Sequence, residues 1–384
     1  MNVFFETFGC RLNRAEALDQ EADFLAKGWT RVETPDRADM IVVRGCSVTR
    51  RAQHDCEKRI AHLRQVFPTT PLRVFGCLPE AKRFSQNPTT ETDALPTRTA
   101  RAYLKCQDGC NGACAFCIVP RFRGTSKSVP FESVLGRAAR FIDAGYHEIV
   151  LTGCNLSLYA AQGKRLPQLL AALAALSPDC RIRLGSLSPS SCAREVVDVV
   201  GQNANICRFL HIPIQSGSDA VLRTMNRPYR VSDIEELVRH ARAVEPRVAF
   251  GCDAITGFPG ESDLDFLATK GLLKRLQFVH AHVFPYSERP GTAATRLPLT
   301  LPRDIRHQRA RDLAASVGKA RKEAARRHIG ETVEVLIEDA TKGRGWTGDY
   351  FACRVASTDR LTRKSLVTAI VERVDGDELI ARIP

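Results

Sequence analysis

The sequence predicts an α/β protein built from three parts that follow one another along the chain. Strand and helix patterns alternate over residues 1–82 and again over residues 99–302, while residues 328–384 are rich in short strands. Alternating strands and helices favour parallel sheets, and a series of short strands with turns favours a small barrel. We therefore expect an N-terminal three-layer parallel α/β domain, a central partial β/α barrel and a C-terminal small β-barrel.

The N-terminal part has a β-α-β-α-β order. Its predicted strands and helices are, in turn, Val3–Phe8, Ala15–Ala26, Met40–Val43, Ala52–Val66 and Leu72–Phe75. A cysteine follows each strand, namely Cys10, Cys46 and Cys77. Because sites in open α/β sheets form beyond the carboxyl ends of the strands, we expect these three cysteines to converge at one edge.

The central part begins after residues 83–98, whose prolines and threonines are typical of a linker. Six strand patterns separated by helical patterns follow, over Ala102–Lys105, Glu148–Thr152, Arg181–Leu184, Phe209–Ile212, Val248–Asp253 and Phe278–Val283. Six such units favour a partial β/α barrel with its functional loops at the carboxyl ends of the strands.

The last part begins with a basic helix over residues 303–327, which carries nine Lys or Arg against three Asp or Glu. Strands are predicted after it over Val333–Ile337, Ala352–Val355, Leu366–Val374 and Leu379–Ile383. Cations bind phosphates and aromatic rings stack on unpaired bases, so the expected RNA contacts are Arg321, Lys322, Arg326, Arg327, Trp346 and Tyr350. A merely solvated helix face is the alternative for the charged residues.

The composition favours a nucleic-acid partner and a reducing compartment. The chain of 384 residues has a formal net charge of +13, which suggests a polyanionic partner. No apolar run approaches the roughly 20 residues that span a bilayer, and the start lacks the features of a signal peptide. We expect a cytoplasmic protein with no membrane association, in which the 14 cysteines serve metal binding or catalysis rather than disulfides.

The strongest motif is the spacing of Cys110, Cys114 and Cys117. Three cysteines spaced in this way can ligate three irons of a four-iron four-sulfur cluster and leave the fourth iron open. An open iron can chelate S-adenosylmethionine, whose reductive cleavage gives a 5′-deoxyadenosyl radical. A structural zinc site is the alternative, but zinc sites usually pair two Cys-x2-Cys hooks and only one is present.

This spacing, with Phe116 before the last cysteine, resembles the radical S-adenosylmethionine superfamily. Within it the chain resembles the methylthiotransferases, whose three N-terminal cysteine motifs match Thr7–Cys10, Arg44–Thr49 and Phe75–Cys77. Residues from about His328 match the place of the RNA-binding TRAM barrel of that family. Between Cys77 and Cys106 only 28 residues remain, so the first domain is shorter than the resemblance implies.

The resemblance implies the activity as well as the fold. It implies two four-iron four-sulfur clusters, S-adenosylmethionine, tRNA as partner, a reducing electron donor and a sulfur source. One S-adenosylmethionine would methylate sulfur at the N-terminal cluster, and a second would yield the radical that takes hydrogen from C2 of an adenine. A non-catalytic iron–sulfur RNA-binding protein is the alternative of another class.

Several motifs are most similar to the branch that methylthiolates N6-threonylcarbamoyladenosine next to the anticodon. They include Val150–Gly153, His211–Asp219 and Gly257–Glu261. The branch acting on isopentenyladenosine and the branch acting on an aspartate of a ribosomal protein remain open.

The expected contacts to S-adenosylmethionine lie around the carboxyl ends of the barrel strands. They are Phe116, Thr152, Gly153, Arg183, Gln215, Ser216, Asp253, Phe284 and Tyr286. For Ser216 a simple helix cap is an equal alternative. The other cysteines are expected to be core residues, and Cys106 and Cys154, although near the site, are not expected to be ligands.

Overall fold

A computed structural model describes residues 1–81, 94–96, 98–298, 301–356 and 361–384. Most of the predicted linker over residues 83–98 lies outside these ranges. Within them, no helix combines the length and the apolar character needed to cross a lipid bilayer. The expected α/β class with its three parts is confirmed.

The N-terminal part is a four-stranded parallel sheet between two helices. Its elements are β1 (Asn2–Thr7), α1 (Arg11–Ala26), β2 (Thr30–Val32), β3 (Met40–Gly45), α2 (Arg50–Val66) and β4 (Leu72–Gly76). The strand order is β2-β1-β3-β4 with every pair parallel. The sequence predicted three strands. The fourth, β2, has only three residues, and a single apolar one among them gives no strand pattern.

The central part contains six parallel strands that run round an open barrel. Its elements are β5 (Ala102–Lys105), β6 (Gln107–Asp108), α3 (Val119–Arg123), β7 (Lys127–Ser128), α4 (Phe131–Asp143), β8 (Glu148–Thr152), β9 (Ala160–Ala161), β10 (Lys164–Arg165), α5 (Leu166–Ala175), β11 (Arg181–Leu184), α6 (Ser191–Gln202), β12 (Phe209–Gln215), α7 (Asp219–Thr224), α8 (Val231–Val244), β13 (Ala249–Thr256), α9 (Asp263–Arg275) and β14 (His280–Pro285). The sheets β5-β8-β11 and β12-β13-β14 are joined by parallel bridges between Ile182 and Ile206 and between Ser186 and His211. All six predicted strands are present.

Side-chain alternation gives this barrel an apolar outer face and a more polar inner face. Leu104 and Leu151 point outward into the large core that the surrounding helices complete. Tyr103 and Val150, one position away, point inward, where Ala15 and Leu18 of α1 pack against them. The first helix of the chain therefore covers part of the inner face of the central barrel.

The last part is α10 followed by a closed five-stranded barrel. Its elements are α10 (Arg303–Arg326), β15 (Thr332–Asp339), β16 (Arg344–Thr347), β17 (Ala352–Val355), β18 (Leu366–Asp375) and β19 (Glu378–Arg382). The strand order is β15-β16-β17-β19-β18. The sequence predicted four strands and missed β16, whose Gly345 packs tightly on the carbonyl of Leu336 and adds no apolar side chain to the pattern.

Two buried arginines attach this C-terminal barrel to the amino-terminal end of the central strands. Arg181 donates from Nη2 to the carbonyl of Trp346 at 2.7 Å, and Arg183 donates from Nη2 to the carbonyl of Thr347 at 2.9 Å. Tyr350 stacks on Phe209 with ring centroids 4.8 Å apart. The carboxyl-terminal end of the central barrel is left for the cysteine loop.

Candidate functional site

The Cys110–Cys117 segment forms a loop that leads from β6 into α3. The amide of Cys110 donates to the carbonyl of Gly124 at 3.1 Å, and the amide of Cys117 donates to that of Cys114 at 3.1 Å. A Cβ added to Gly112 would lie 3.3 Å from the Sγ of Cys110 and 3.7 Å from the Sγ of Cys114. These two thiols therefore lie on the same short stretch of backbone.

The loop is fixed by the turn that follows α7. Arg227 donates from Nη1 to the Sγ of Cys114 at 2.9 Å, and Asn226 donates from Nδ2 to the carbonyl of Ala113 at 2.8 Å. The amide of Ala115 donates to the carbonyl of Met225 at 2.9 Å. These three hydrogen bonds fix the position of Cys114 and its neighbours on the loop.

The thiols of the loop fit a cluster better than a single ion. All three are free cysteines, and burial, reinforced by the neighbouring Cys114 and Cys110, raises the pKa of Cys117 to about 11. Over the described ranges, no three Cys, His, Asp or Glu side chains are close enough to hold one metal ion. In a cubane each cysteine binds a different iron, so three separate thiols on one loop suit a four-iron cluster with an open corner.

The three N-terminal cysteines also converge, as the sequence predicted. A Cβ on Gly9 would lie 2.9 Å from the Sγ of Cys46, so only glycine lets the residue before Cys10 approach this closely. The amide of Cys77 donates to the carbonyl of Gly45 at 3.1 Å. Burial, together with Cys10 and Cys77, raises the pKa of Cys46 to about 11.

A network of buried charges joins the two groups of cysteines. Arg123 donates from Nε to the Sγ of Cys77 at 3.1 Å and from Nη1 to Asp108 at 3.0 Å, two residues before Cys110. It also pairs with Glu16 of α1 at 3.0 Å. Burial opposes the charge on Asp108, but Arg123 and Lys105 outweigh it and lower the pKa of that carboxyl group.

The predicted cofactor residues Thr152 and Gly153 lie beside the start of the cysteine loop. Thr152 is buried at the end of β8 and donates to the carbonyl of Leu104. A Cβ on Gly153 would lie 2.9 Å from the Oε1 of Gln107, whose Nε2 donates to the carbonyl of Gly109 at 2.7 Å. Gln107 thus connects the Thr152–Gly153 turn to the loop, and the absence of a side chain at Gly153 makes room for it.

Gln215 and Phe284 lie at the carboxyl ends of β12 and β14, and Asp253 lies in the middle of β13. Gln215 has a positive φ of 63° at the end of β12. Asp253 lies 3.1 Å from the Nε2 of His211. Burial opposes the charge on Asp253, but His211 and the neighbouring His282 outweigh it and lower its pKa.

An aromatic row runs from the cysteine loop to β14. The rings of Phe116 and Phe258 lie 6.3 Å apart, and those of Phe258 and Tyr286 lie 5.2 Å apart, both edge to face. The buried Oη of Tyr286 has no hydrogen-bond partner among the described residues. A buried hydroxyl without a partner beside the loop suits a polar ligand at this place.

Two predicted cofactor residues are engaged elsewhere. Ser216 is fully buried and lies 3.4 Å from the Oγ1 of Thr269, so it serves the packing of α9. Arg183 is also fully buried and donates from Nε to Glu148 at 2.8 Å as well as to the C-terminal barrel. The structure does not bring these two side chains to the cysteine loop.

The predicted RNA-binding residues also fall into two groups: some are exposed, and others are engaged by other parts of the protein. Lys322, Arg326 and Arg327 are exposed near the end of α10, and no ion pair among the described residues involves them. Arg321 instead donates from Nε to Asp377 at 2.6 Å and lies over the ring of Phe351.

Trp346 and Tyr350 stack on each other with centroids 4.8 Å apart. The Oη of Tyr350 accepts a hydrogen bond from Arg11 at 2.9 Å. These two rings therefore belong to the junction of the three parts and are not free platforms for bases.

No role was predicted from the sequence for Arg123, Arg227 or the histidines of the inner barrel face. Arg123 follows Cys117 by six residues, and Arg227 lies in the turn after α7. The alternating His280 and His282 on β14 gave an inward-facing signal that could have been read from the strand period.

The family models that match this chain agree with the geometry of the two groups of cysteines. Residues 104–273 match the model described as the radical SAM superfamily, and residues 2–94 match the model described as uncharacterized protein family UPF0004. The radical S-adenosylmethionine methyltransferase TsrM from Kitasatospora setae has the same fold, with a TM-score of 0.54 and 13% identity over 74% of each chain. Fold and cysteine loop together define a radical S-adenosylmethionine enzyme, which binds a four-iron four-sulfur cluster and S-adenosylmethionine.

Two curated relatives narrow the class. One, a tRNA-2-methylthio-N(6)-dimethylallyladenosine synthase of Chlorobium luteolum, is 32% identical over 88% of this chain and 86% of its own. The other, the threonylcarbamoyladenosine tRNA methylthiotransferase MtaB of Chlamydia pneumoniae, is 31% identical over 98% of this chain and 96% of its own. The chain belongs to the radical S-adenosylmethionine methylthiotransferase family.

Proposed function

We propose that this enzyme is a tRNA methylthiotransferase that converts N6-threonylcarbamoyladenosine next to the anticodon to its 2-methylthio derivative. The choice of nucleoside rests on the share of the chain that aligns with each kind of relative. The chain aligns with MtaB of Chlamydia pneumoniae over 98% of its length, and with MtaB of Thermotoga maritima, at 29% identity, over 97%. Its match to the dimethylallyladenosine synthase of Chlorobium luteolum reaches 88%.

The competing nucleoside is the dimethylallyl one, because the identity to that relative, 32%, is as high. The two substrates differ in the chemistry of the group on N6. The threonylcarbamoyl group carries a carboxylate, whereas the dimethylallyl group is apolar. Recognition of the first therefore needs a cation or hydrogen-bond donors, and recognition of the second needs an apolar pocket.

Cys110, Cys114 and Cys117 would hold the cluster that cleaves S-adenosylmethionine. When bound, this cluster and S-adenosylmethionine supply the 5′-deoxyadenosyl radical. Gly153 lets Gln107 pack against the backbone beside the loop, Gln215 offers a polar group at the end of β12, and Asp253 offers one in the middle of β13. Phe116, Phe284 and Tyr286 would form the apolar wall of the pocket, with the unpartnered Oη of Tyr286 available to the ligand.

Cys10, Cys46 and Cys77 would hold a second four-iron cluster, which supplies the sulfur that becomes the methylthio group. Their convergence at the carboxyl end of the N-terminal sheet supports this role. Arg123 contacts Cys77 and Asp108 together, so this second site lies beside the loop that carries Cys110. A reducing electron donor and a sulfur source complete the reaction.

We assign one task to each part of the chain. Residues 1–82 would carry the sulfur-donating cluster, residues 99–302 the radical chemistry, and residues 303–327 with 328–384 the contact to tRNA. The exposed Lys322, Arg326 and Arg327 support the last assignment because they present positive charge without an acidic partner.

The test is mass spectrometry of tRNA nucleosides from cells with and without the gene. We expect 2-methylthio-N6-threonylcarbamoyladenosine to disappear and its unmethylthiolated precursor to accumulate. Loss of the methylthio derivative of dimethylallyladenosine instead would assign the other nucleoside. If neither changes, the purified enzyme with both modified RNAs decides whether it acts on tRNA at all.

A further inference from the structure

A cavity of about 660 Å³ lies where the start of α2 meets the segment after β14 and the start of α10. Four arginines line it, Arg50, Arg51, Arg289 and Arg303, against the carboxylates Asp55 and Glu57. No part of the mechanism above uses this cavity. More cationic than anionic side chains line the cavity, so an anion is the kind of ligand that it would bind.

Arg289 is the most buried of the four arginines of the cavity. Its side chain is 3% exposed, and its Nε is buried without a hydrogen-bond partner in the described parts of the chain. Its Nη2 donates to the Oε1 of Gln53. Burial and the nearby Arg50 lower the pKa of Arg289 and outweigh the opposite effect of Glu57, and no carboxylate among the described residues forms an ion pair with this guanidinium. A buried guanidinium without a carboxylate is unfavourable unless a ligand provides the negative charge.

The two carboxylates of the cavity are already engaged. Asp55 lies 3.7 Å from the Nε of Arg51, and Glu57 accepts a hydrogen bond from the Nε2 of Gln53 at 2.6 Å. No ion pair within the described ranges involves the guanidinium of Arg50, Arg289 or Arg303. Three cations from three distant segments thus face one cavity, and none of them is in an ion pair with either carboxylate of its lining.

A hydrogen bond between two of the segments that line the cavity fixes its position in the fold. The backbone amide of Arg50 donates to the Oγ of Ser287 at 2.9 Å, which ties the start of α2 to the segment after β14. Arg50 follows Cys46 by only four residues, across the short connection between β3 and α2. The cavity therefore lies beside the N-terminal cysteines, where the target adenosine must come for sulfur transfer.

We propose that this cavity is an oxyanion-binding site that holds an anionic group of the tRNA substrate next to the target adenosine. The proposal rests on the proposed function. Guanidinium groups bind the oxygens of phosphate and of carboxylate in the same forked geometry, so either could be the ligand. The phosphate would come from the backbone of the anticodon loop, and the carboxylate from the threonylcarbamoyl group itself.

The experiment measures the affinity of the full-length protein for labelled anticodon stem-loop RNA over a range of salt concentrations. Three RNAs are compared, carrying threonylcarbamoyladenosine, dimethylallyladenosine or unmodified adenosine at the target position. The variants are Arg289→Gln, Arg50→Gln and Arg303→Gln, and the matched control is Arg194→Gln, an exposed arginine of α6 paired with Glu236. Because Arg50 and Arg303 are exposed, their variants keep the test valid if Arg289→Gln does not fold.

If the ligand is a phosphate, each cavity variant should weaken all three RNAs on the order of tenfold and reduce the salt slope by about one. If it is the carboxylate, only the RNA with threonylcarbamoyladenosine should weaken. Unchanged affinity and slope for all three RNAs would overturn the proposal.

Two further measurements distinguish this proposal from a role of Arg289 at the N-terminal cluster and from the proposed function. If Arg289→Gln alters the electron paramagnetic resonance signal of the N-terminal cluster but leaves RNA affinity unchanged, the arginine serves the cluster and the proposal is wrong. Methylthio product from the wild-type enzyme reports separately on the proposed function. Failure there would leave the binding comparison intact.

Discussion

Arg123 donates a hydrogen bond from its Nε to the Sγ of Cys77 over 3.1 Å. The same guanidinium binds Glu16 of α1 and Asp108 just before the cysteine loop. One buried side chain thus contacts the N-terminal sheet, the first helix and the entrance to the loop of the central barrel. It therefore helps to fix the relative placement of the two groups of cysteines, together with the pairing of Lys105 with Glu16.

Replacement of this residue should therefore be strongly destabilising. Arg123→Met would leave the carboxylates of Glu16 and Asp108 with less compensation, and breaking a buried ion pair in this way costs about 3–5 kcal/mol. The free energy of unfolding in urea measures it. The matched control Arg165→Met removes an exposed arginine paired with Glu195 and should cost no more than about 1 kcal/mol. Equal effects of the two changes would show that the Arg123 network does not hold the parts together.

Replacing Cys110, Cys114 and Cys117 with Ala should abolish cleavage of S-adenosylmethionine. Anaerobically reconstituted wild-type protein should hold about eight irons if each group of three cysteines binds one four-iron cluster, and this variant should hold about half. Iron analysis and chromatography of 5′-deoxyadenosine are the measurements. The buried Cys252→Ala serves as a control, because its thiol lies in the outer core. Cleavage that persists in the triple variant would contradict the radical assignment.

Replacing Cys10, Cys46 and Cys77 with Ala should separate the two chemical steps. The cluster that cleaves S-adenosylmethionine has its own ligands, so 5′-deoxyadenosine should still form. The methylthiolated nucleoside should not, because its sulfur carrier is lost. Nucleoside mass spectrometry after incubation with tRNA checks this, and product at the normal rate would show that the N-terminal cysteines do not carry the sulfur.

Replacing Lys322, Arg326 and Arg327 with Ser should weaken all tRNAs about equally and flatten the dependence of affinity on salt. Each neutralised phosphate releases counterions, so the slope scales with the number of contacts that remain. Arg321→Ser is the informative comparison, because Arg321 is held by Asp377 and Phe351. It should lower the stability of the C-terminal barrel and leave the salt slope close to that of the wild type. A triple variant with the original slope would place the RNA contact elsewhere.

The stability of the protein should fall in mild acid through His280. Burial, with the neighbouring His282 and His211, lowers the pKa of His280 to about 3 from an ordinary value of 6.5. Below pH 6.5 the unfolded chain binds a proton here that the folded chain does not, so the free energy of unfolding decreases as the pH falls from about 6.5 towards 3.

His280→Gln should make this decrease less steep by up to about 1.4 kcal/mol per pH unit. His280→Phe, which keeps a ring against Phe209 and Tyr350, should flatten the profile in the same way. Urea unfolding between pH 4 and pH 7 is the measurement. Profiles of both variants that run parallel to that of the wild type would exclude His280 as the titrating group.

Local patterns were enough to predict the six barrel strands and the cysteine loop. The carboxyl-terminal position of Cys10, Cys46 and Cys77 followed from parallel topology, and the structure brings them together through Gly9 and Gly45. These features depend on strand period and on spacing within short segments. Both can be read directly from a sequence.

Contacts between distant segments could not be predicted in this way. Arg183 and Tyr350 have the residue types of ligand-binding positions, but Arg183 bonds to the C-terminal barrel and Tyr350 of that barrel stacks on Phe209 of the central one. Nothing near either residue in the sequence signals that packing. Arg123 and Arg289 are the opposite case: neither was predicted as a site residue, but the structure places both at important positions. Each is an ordinary basic residue in the sequence, and its importance comes only from thiols and cavities that other parts of the chain supply.

The packing of α1 against the inner face of the central barrel has a consequence for synthesis on the ribosome. This helix emerges early, but Tyr103 and Val150, on which it rests, are made much later. Until the barrel has formed, the surface that this helix will bury stays exposed. That surface includes the charged Glu16 and Asp19, which pair with Lys105 and Arg137 only afterwards. Incomplete chains aggregate through exposed hydrophobic surface, and these charged side chains interrupt the apolar surface of α1. The earliest helix and the later barrel therefore complete one another, and we expect them to unfold in a single cooperative transition.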